Sequence, residues 1–258
     1  MIDDLLTHLD YETRNLGMSS YALAAKFLDN PDLERLVSAL AERTVHSDRL
    51  FIQARVVTEQ FFALPAIETS GFSFVETTLD PYTVLGKNPV LQIFRANPGS
   101  FVPRRFNLGA FGFTNLDKSD QTACESIKSI AAESFIKDRF HVDPRCPNHL
   151  ADARFVYWVE DLLSGDTLFQ LLLYEDCIIG FMARNREHLI LAGFSRKYSA
   201  SGLGDYLWLS VLDNMVSDGL AQAHTRISVN NIPVLNLYVR LGFKFRDPAA
   251  MFHYWHNS

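Results

Sequence analysis

The stretch 189–219 limits most sharply what this chain can become. Leu189-Ile190-Leu191-Ala192-Gly193-Phe194 is almost wholly apolar, as a buried strand requires, and it runs into a polar loop that ends in Gly202-Leu203-Gly204. Behind the glycines, Leu203, Leu207, Val211 and Met215 recur every four residues, the spacing of a helix packed on a core. A helix that starts at the glycines leaves its first N–H groups without intrahelical partners and facing out of the loop. Glycine at 202 and 204 removes the side chains that would hold a pyrophosphate off the backbone, and the helix dipole favours negative charge there. A GxG pair alone also arises from turn geometry, so its meaning depends on what surrounds it.

The surroundings read as a mixed α/β chain. Strands are expected at 106–113, 167–174, 177–184, 188–194, 225–229 and 243–254, with the tight turn Glu175-Asp176 making an antiparallel pair of the second and third. Helices are expected from Ser119, with Ile127, Ile130, Ala131 and Phe135 on one face, at 151–163, and at 203–218. Asn230-Asn231-Ile232-Pro233 caps and opens a further short helix, 232–240, that Gly242 ends. Upstream, Asn30-Pro31 opens an amphipathic helix over 29–43 carrying Leu33, Leu36, Val37 and Leu40. A strand at 50–57, a short apolar helix ending before Gly71 and a strand at 72–79 follow, an αβαβ order. The stretch 86–105, with Pro89, Pro98, Gly99 and Pro103, reads as a linker, which puts a domain boundary near residue 103 and gives units 1–103 and 104–258.

Composition removes several function classes. Apolar residues make up 48% of 258, enough to fill cores without staples. The three cysteines show no paired or metal-ligand spacing, so neither disulfides nor a metal site is expected, and a reducing cytoplasm fits. Met1-Ile2-Asp3-Asp4 is acidic and precedes no apolar leader, and no run approaches the ~20 apolar residues of a membrane span, so a membrane partner is not expected. A net charge of −6 argues against nucleic acid, while leaving room for small polyanions held by backbone amides.

The order strand, loop, GxG and helix, followed by N-x-x-V-x-x-L-Y-x-x-x-G-F over 231–243, resembles the paired cofactor motifs of the GNAT-superfamily N-acyltransferases across 104–258. The family's usual loop is Q/R-x-x-G-x-G/A; here Ser199 replaces Gln or Arg, and Ala200 and Ser201 precede Gly202. The resemblance implies a GNAT fold with a mixed sheet, beside a smaller α/β, GNAT-like N-terminal domain that lacks the CoA loop. It implies acyl-CoA as co-substrate, its pyrophosphate on Ala200, Ser201, Gly202, Leu203, Gly204 and Asp205. Pantetheine would run against Ala192, Gly193 and Phe194, with Asn231 nearby, and Tyr238 would be the catalytic phenol. Chemistry supports that role: thiols titrate at about 8.5 and phenols at about 10, so tyrosine arrives protonated and can donate to the departing thiolate.

The acceptor side rests on 138–148 and on Tyr157-Trp158. These resemble the R-F/Y-H-x-D-P…W segment of GNAT enzymes that acylate thymidine-diphosphate-linked (dTDP) amino-dideoxyhexoses for bacterial surface polysaccharides. The segments 9–17 and 71–77 match the N-terminal part of the same enzymes. This implies acceptor contacts from Arg139, His141, Asp143 and Tyr157, Arg139 toward the diphosphate and Asp143 or His141 toward the sugar. The group that takes the amine's proton is open between His141 and a water chain. The acyl group is open between acetyl and a short 3-hydroxyacyl, and a homodimer is compatible with the resemblance. Two other readings remain: the same fold acting on a protein or another small-molecule amine, and an acyl-CoA-binding protein without turnover.

Overall fold

The computed structural model describes residues 5–45, 47–134 and 138–257; Phe135 and the acidic Met1–Asp4 segment lie outside the described residues. The first half runs β1 (Leu6–His8), α1 (Asp10–Leu16), β2 (Ser19–Leu23), α2 (Ala25–Asp29), α3 (Leu33–Val45), β3 (Arg49–Val57), α4 (Leu64–Thr69), β4 (Ser73–Val84) and α5 (Pro89–Ala96). The second runs β5 (Phe111–Asn115), α6 (Gln121–Ser134), α7 (Arg139–Val142), α8 (Asn148–Ser164), β6 (Leu168–Tyr174), β7 (Cys177–Asn185) and β8 (His188–Phe194). It continues with α9 (Gly204–Ser217), β9 (Gln222–His224), β10 (Ile227–Ser228), α10 (Ile232–Arg240) and β11 (Lys244–Asn257).

Local chemistry explains most boundaries. Glu175 and Asp176 take φ values of 51° and 61°, the left-handed pair that a two-residue hairpin needs. Helix α10 has the expected bounds, with the Asn231 carboxamide accepting from the Val234 amide at 3.4 Å. Two caps differ from expectation by a residue or two: Asp32 rather than Asn30 accepts from the first turn of α3, and Asp120 rather than Ser119 from that of α6. Either residue type can cap, so the choice falls to where the backbone turns.

All strands share one mixed sheet of order β1-β2-β3-β11-β4-β9-β8-β7-β6-β5, with β10 pairing to β4. Among the described residues only β2–β3 and β8–β9 are parallel. The last strand, β11, lies between β3 and β4, pairing Ala249–Asn257 with Val57–Arg49 on one side and Lys244 with Tyr82, through to His253 with Ser73, on the other. A strand from the end of the chain is thus enclosed by two from its beginning, and the sheet passes residue 103 without a break. The linker reading of 86–105 is corrected in part. Asn88 caps α5, accepting from the Val90 and Leu91 amides, and donates to the Leu241 carbonyl at 2.8 Å. Leu91 and Phe94 sit in the same core as Leu207, Val211 and Leu237. An eight-residue helix between prolines is too short to show periodicity in sequence.

Helices α5, α9 and α10 cover one face of the sheet through that core. On the other face α6 and α8 pack over β6–β8 through Ile127, Phe155 and Phe181. Further along, Leu16, Phe51, Phe140 and Trp255 form a separate cluster over β3 and β11. No helix among the described residues is long and apolar enough to cross a membrane. A fragment of residues 104–258 would leave β11 without either neighbour and β9 without β4. We expect this fragment alone to lack a cooperative urea transition and to regain one when mixed with fragment 1–103. Cooperative unfolding of the isolated fragment would contradict the interlock.

Candidate active site

Strand β8 is paired with β7 along its length but touches β9 only at His188 with His224. Beyond that point the two strands part, because β9 and β10 follow β4 instead. The edge of β8 over Leu189–Phe194 therefore carries free backbone groups toward the gap, which an extended, amide-bearing ligand can pair. The expected Ala192, Gly193 and Phe194 all lie on it. The imidazoles of His188 and His224 stack at its closed end, 5.3 Å between centroids.

The loop before α9 stands at the open end. Within it the Ser201 amide donates to the Tyr198 carbonyl at 3.1 Å and the Leu203 amide to Ser201 Oγ at 3.4 Å. The amides of Ala200, Gly202, Gly204 and Asp205 have no hydrogen-bond partner among the described residues. Gly202 holds φ +82°, and a Cβ there would lie 3.3 Å from Pro103 Cγ, so an L side chain would be strained in conformation and crowded in space. Arg105 donates to the Ser201 carbonyl and fixes the loop from the preceding segment. Beside it opens a hollow of about 360 Å³ whose lining includes Arg105, Arg196, Lys197 and Ala200. These three cations were not singled out in sequence because Arg105 lies far from the other two along the chain. Asp205, in the first turn of α9, accepts from Arg240 at 2.8 Å and ties the loop to the end of α10.

Tyr238 lies on α10, 3% exposed, with its ring edge-on to Phe243 at 4.8 Å and to Trp208 at 6.2 Å. Burial pushes its phenol up to about 12, partly offset by the neighbouring Trp208 indole and Thr225 hydroxyl. The group is protonated throughout the physiological range, as an acid must be. Thr225 belongs to the connection between β9 and β10, so the phenol lies beside that connection. The Trp208 indole N–H is buried there without a hydrogen-bond partner of normal geometry.

The acceptor-side residues fall into a buried polar network rather than one open pocket. Glu12 receives Arg154 through both carboxylate oxygens, Nη2 at 2.8 Å and Nε at 3.1 Å, and also meets Arg139 at 3.3 Å. Burial would raise the Glu12 carboxyl, but Arg154, with help from Arg139, holds it below its ordinary range. Arg139 donates to Gln53 at 3.1 Å and keeps a buried Nε without a partner. His141 has Nδ1 at 2.7 Å from Asp138 and Nε2 at 3.0 Å from Asp152. Burial opposes its charge, yet the hydrogen bonds with Asp152 and Asp138 raise its pKa above the ordinary value. Both ring nitrogens are engaged, which leaves neither free to accept a proton.

Asp143 differs most from expectation. Its side chain is 0% exposed, and its oxygens accept from Arg145 Nε at 2.9 Å, His253 Nδ1 at 2.8 Å and Trp255 Nε1 at 2.8 Å. It joins the 138–148 loop to β11 and has no free lone pair aimed at a ligand. Tyr157 is 40% exposed, on α8 with the Arg14 guanidinium of α1 over its ring. Burial costs the Asp143 carboxylate, but the donors together depress its pKa strongly; burial likewise lowers His253 to about 4.

A sheet splayed at one parallel pair, with a helix start at its mouth and a capped helix closing it, is the plan of the GNAT N-acetyltransferases, and this chain has that fold. The GCN5-related N-acetyltransferase from Sphaerobacter thermophilus matches it with a TM-score of 0.63 over 98% of this chain and 76% of that one, at 12% identity. A tandem GNAT protein from the clavulanic acid biosynthesis pathway matches with 0.57 over 87% and 70%, at 11% identity. In sequence, the spore coat polysaccharide biosynthesis protein SpsD of Bacillus subtilis (strain 168) is 23% identical, the match covering 79% of this chain and 73% of that protein. No protein-family model matches the chain.

Asp143→Asn would set an NH2 group against three donors, and we expect it to cost about 3 kcal/mol at pH 7. A depressed carboxyl stabilises the fold above its unfolded value of about 3.9 and loses that contribution as pH falls below it. The gap between wild type and variant in urea midpoints should therefore close below about pH 4. A gap of constant size across pH would show that the Asp143 charge does not matter.

Proposed function

We propose that this protein is an acyl-CoA-dependent N-acyltransferase that modifies the amino group of a nucleotide-linked sugar, a dTDP-amino-dideoxyhexose by resemblance, for surface polysaccharide synthesis in the cytoplasm. The observation that carries the first part is the splayed gap, with four free amides at its mouth and a protonated phenol beside the β9–β10 connection. The amides of Ala200, Gly202, Gly204 and Asp205 suit a diphosphate, and Arg105, Arg196 and Lys197 add the positive charge that Ser199 does not. The free edge of β8 suits the two amides of pantetheine. When the tetrahedral adduct collapses, Tyr238 Oη gives its proton to the sulfur as the C–S bond breaks.

Two features support the acceptor. SpsD is a polysaccharide biosynthesis protein, and Arg139 retains a donor without a partner, which a phosphate oxygen can take. The acyl group is acetyl or a short 3-hydroxyacyl chain. Mass spectrometry of products from a panel of acyl-CoA donors and dTDP-amino sugars tests the whole reading; acyl-CoA binding with no acylated product from any amine would overturn it.

Tyr238→Phe should bind acyl-CoA as the wild type does and lose on the order of 10²- to 10⁴-fold in kcat. A merely structural tyrosine would instead lower the unfolding midpoint and leave kcat alone. Arg139→Ala should raise KM for the dTDP-sugar by about tenfold, the worth of one charge-assisted hydrogen bond, while KM for acyl-CoA stays put; an unchanged sugar KM would free Arg139 from the acceptor site.

A further inference from the structure

An attacking amine must first lose a proton, and neither His141, held between two carboxylates, nor the saturated Asp143 can take it. Three carboxylates are buried among the described residues: Glu12, Glu76 and Asp143. Glu12 and Asp143 are ion-paired. Glu76, 5% exposed on β4, has no cationic nitrogen within 4.0 Å among the described residues. A buried carboxylate without a counter-ion costs the fold stability, and such groups gather where proton chemistry is done.

Its place follows from register. Thr78 pairs with Ser228 and Leu79 with Ile227. Leu79 and Ile227 face the core under α9 and α10. By strand alternation Glu76, Thr78 and Ser228 therefore face the opposite side, the side of α6, α7 and α8. Thr225, beside Tyr238, points to the core face of the same β9–β10 margin. Thr225 and Ser228 are three residues apart, about 10 Å along a strand. The charged groups around Glu76 are Arg139 and Asp138 from α7 and its cap and Arg154 from α8. Further along the same face Asp80 is held by Arg226 through two bonds of 2.8 Å, with Arg55 3.7 Å away. Burial raises the Glu76 carboxyl above its ordinary range, moderated by Ser228 and Arg139.

We propose that Glu76 is the proton acceptor for the attacking amine, so that the acceptor approaches from the α7–α8 side and the phenol of Tyr238 serves the sulfur from the other. Glu76 takes one proton from the ammonium, and the freed lone pair forms the C–N bond at the thioester carbon. Collapse breaks the C–S bond and the thiolate takes the Tyr238 proton. The phenolate is restored by the second proton of the adduct nitrogen, and Glu76 returns its own to water. This rests on the acyl-transfer reading and gives the N-terminal half, through β4, a group that touches the substrate.

The test is the pH dependence of kcat/KM with acetyl-CoA and a dTDP-linked amino-dideoxyhexose. Glu76→Gln should fold with unchanged acetyl-CoA affinity and lose at least about 10²-fold near pH 7. Its residual rate should climb roughly tenfold per pH unit toward the amine's own pKa, where the wild type has levelled off. Should the Gln variant fail to fold, Glu76→Asp keeps the carboxylate and should retain a displaced ascending limb at reduced rate. A wild-type pH profile in whichever variant folds overturns the assignment while leaving acyl transfer standing. Absence of turnover in the wild type itself defeats the acyl-transfer reading, and this one with it.

Discussion

Strand β11 is the constraint on which the rest depends. Its residues Ala249–His253 pair with β3 and β4 at once, flanked by residues that pair with one or the other, so the chain cannot complete its sheet until its first third and its last strand meet. Such pairings close long loops and are made late, after local hairpins such as β6–β7. Once made, they set β4 beside β9 and so decide which strands β9 and β10 follow. The gap at β8 is the geometric consequence: two strands that begin in contact at His188 and His224 are drawn apart by their other neighbours.

Charge completes what the ladder begins. The helix α1, the loop at 138–148 and the strands β3 and β11 come from distant parts of the chain, and each supplies a member of the Glu12, Arg154, Arg139, Asp143 and His253 network. Replacing such groups by apolar ones often leaves stability intact, so their worth lies in orientation more than in net energy. Here they fix Arg139 with one donor unused and hold α7 over the polar face of β4.

Environment divides the proton chemistry. Burial is the largest influence pushing both Tyr238 and Glu76 upward. For a phenol this secures the acid form, whereas for a carboxylate it makes a stronger base than an exposed glutamate. In the proposed reaction, two groups raised by the same physical cause would serve opposite ends of one acyl transfer.

The helices that frame the proposed donor side were legible in the sequence. A GxG before a four-residue apolar repeat, and an Asn-Pro cap before Leu237 and Tyr238, are local signals whose physics acts within a few residues, and the helices stand where those signals put them. The acceptor side was legible only as a set of polar residue types. Asp143 reads in sequence as a loop carboxylate ready for a ligand, yet it is sealed against His253 and Trp255; Glu76 reads as one acidic residue in a strand, yet it stands buried with no cation within 4.0 Å among the described residues. The sequence by itself determined most helices and strands of the second half, the Asn231 cap and the glycine-opened helix start, because these depend on neighbours along the chain. Only the tertiary structure decided which buried carboxylate meets a cation directly and which does not, because a charge's worth is set by burial and by partners distant along the chain.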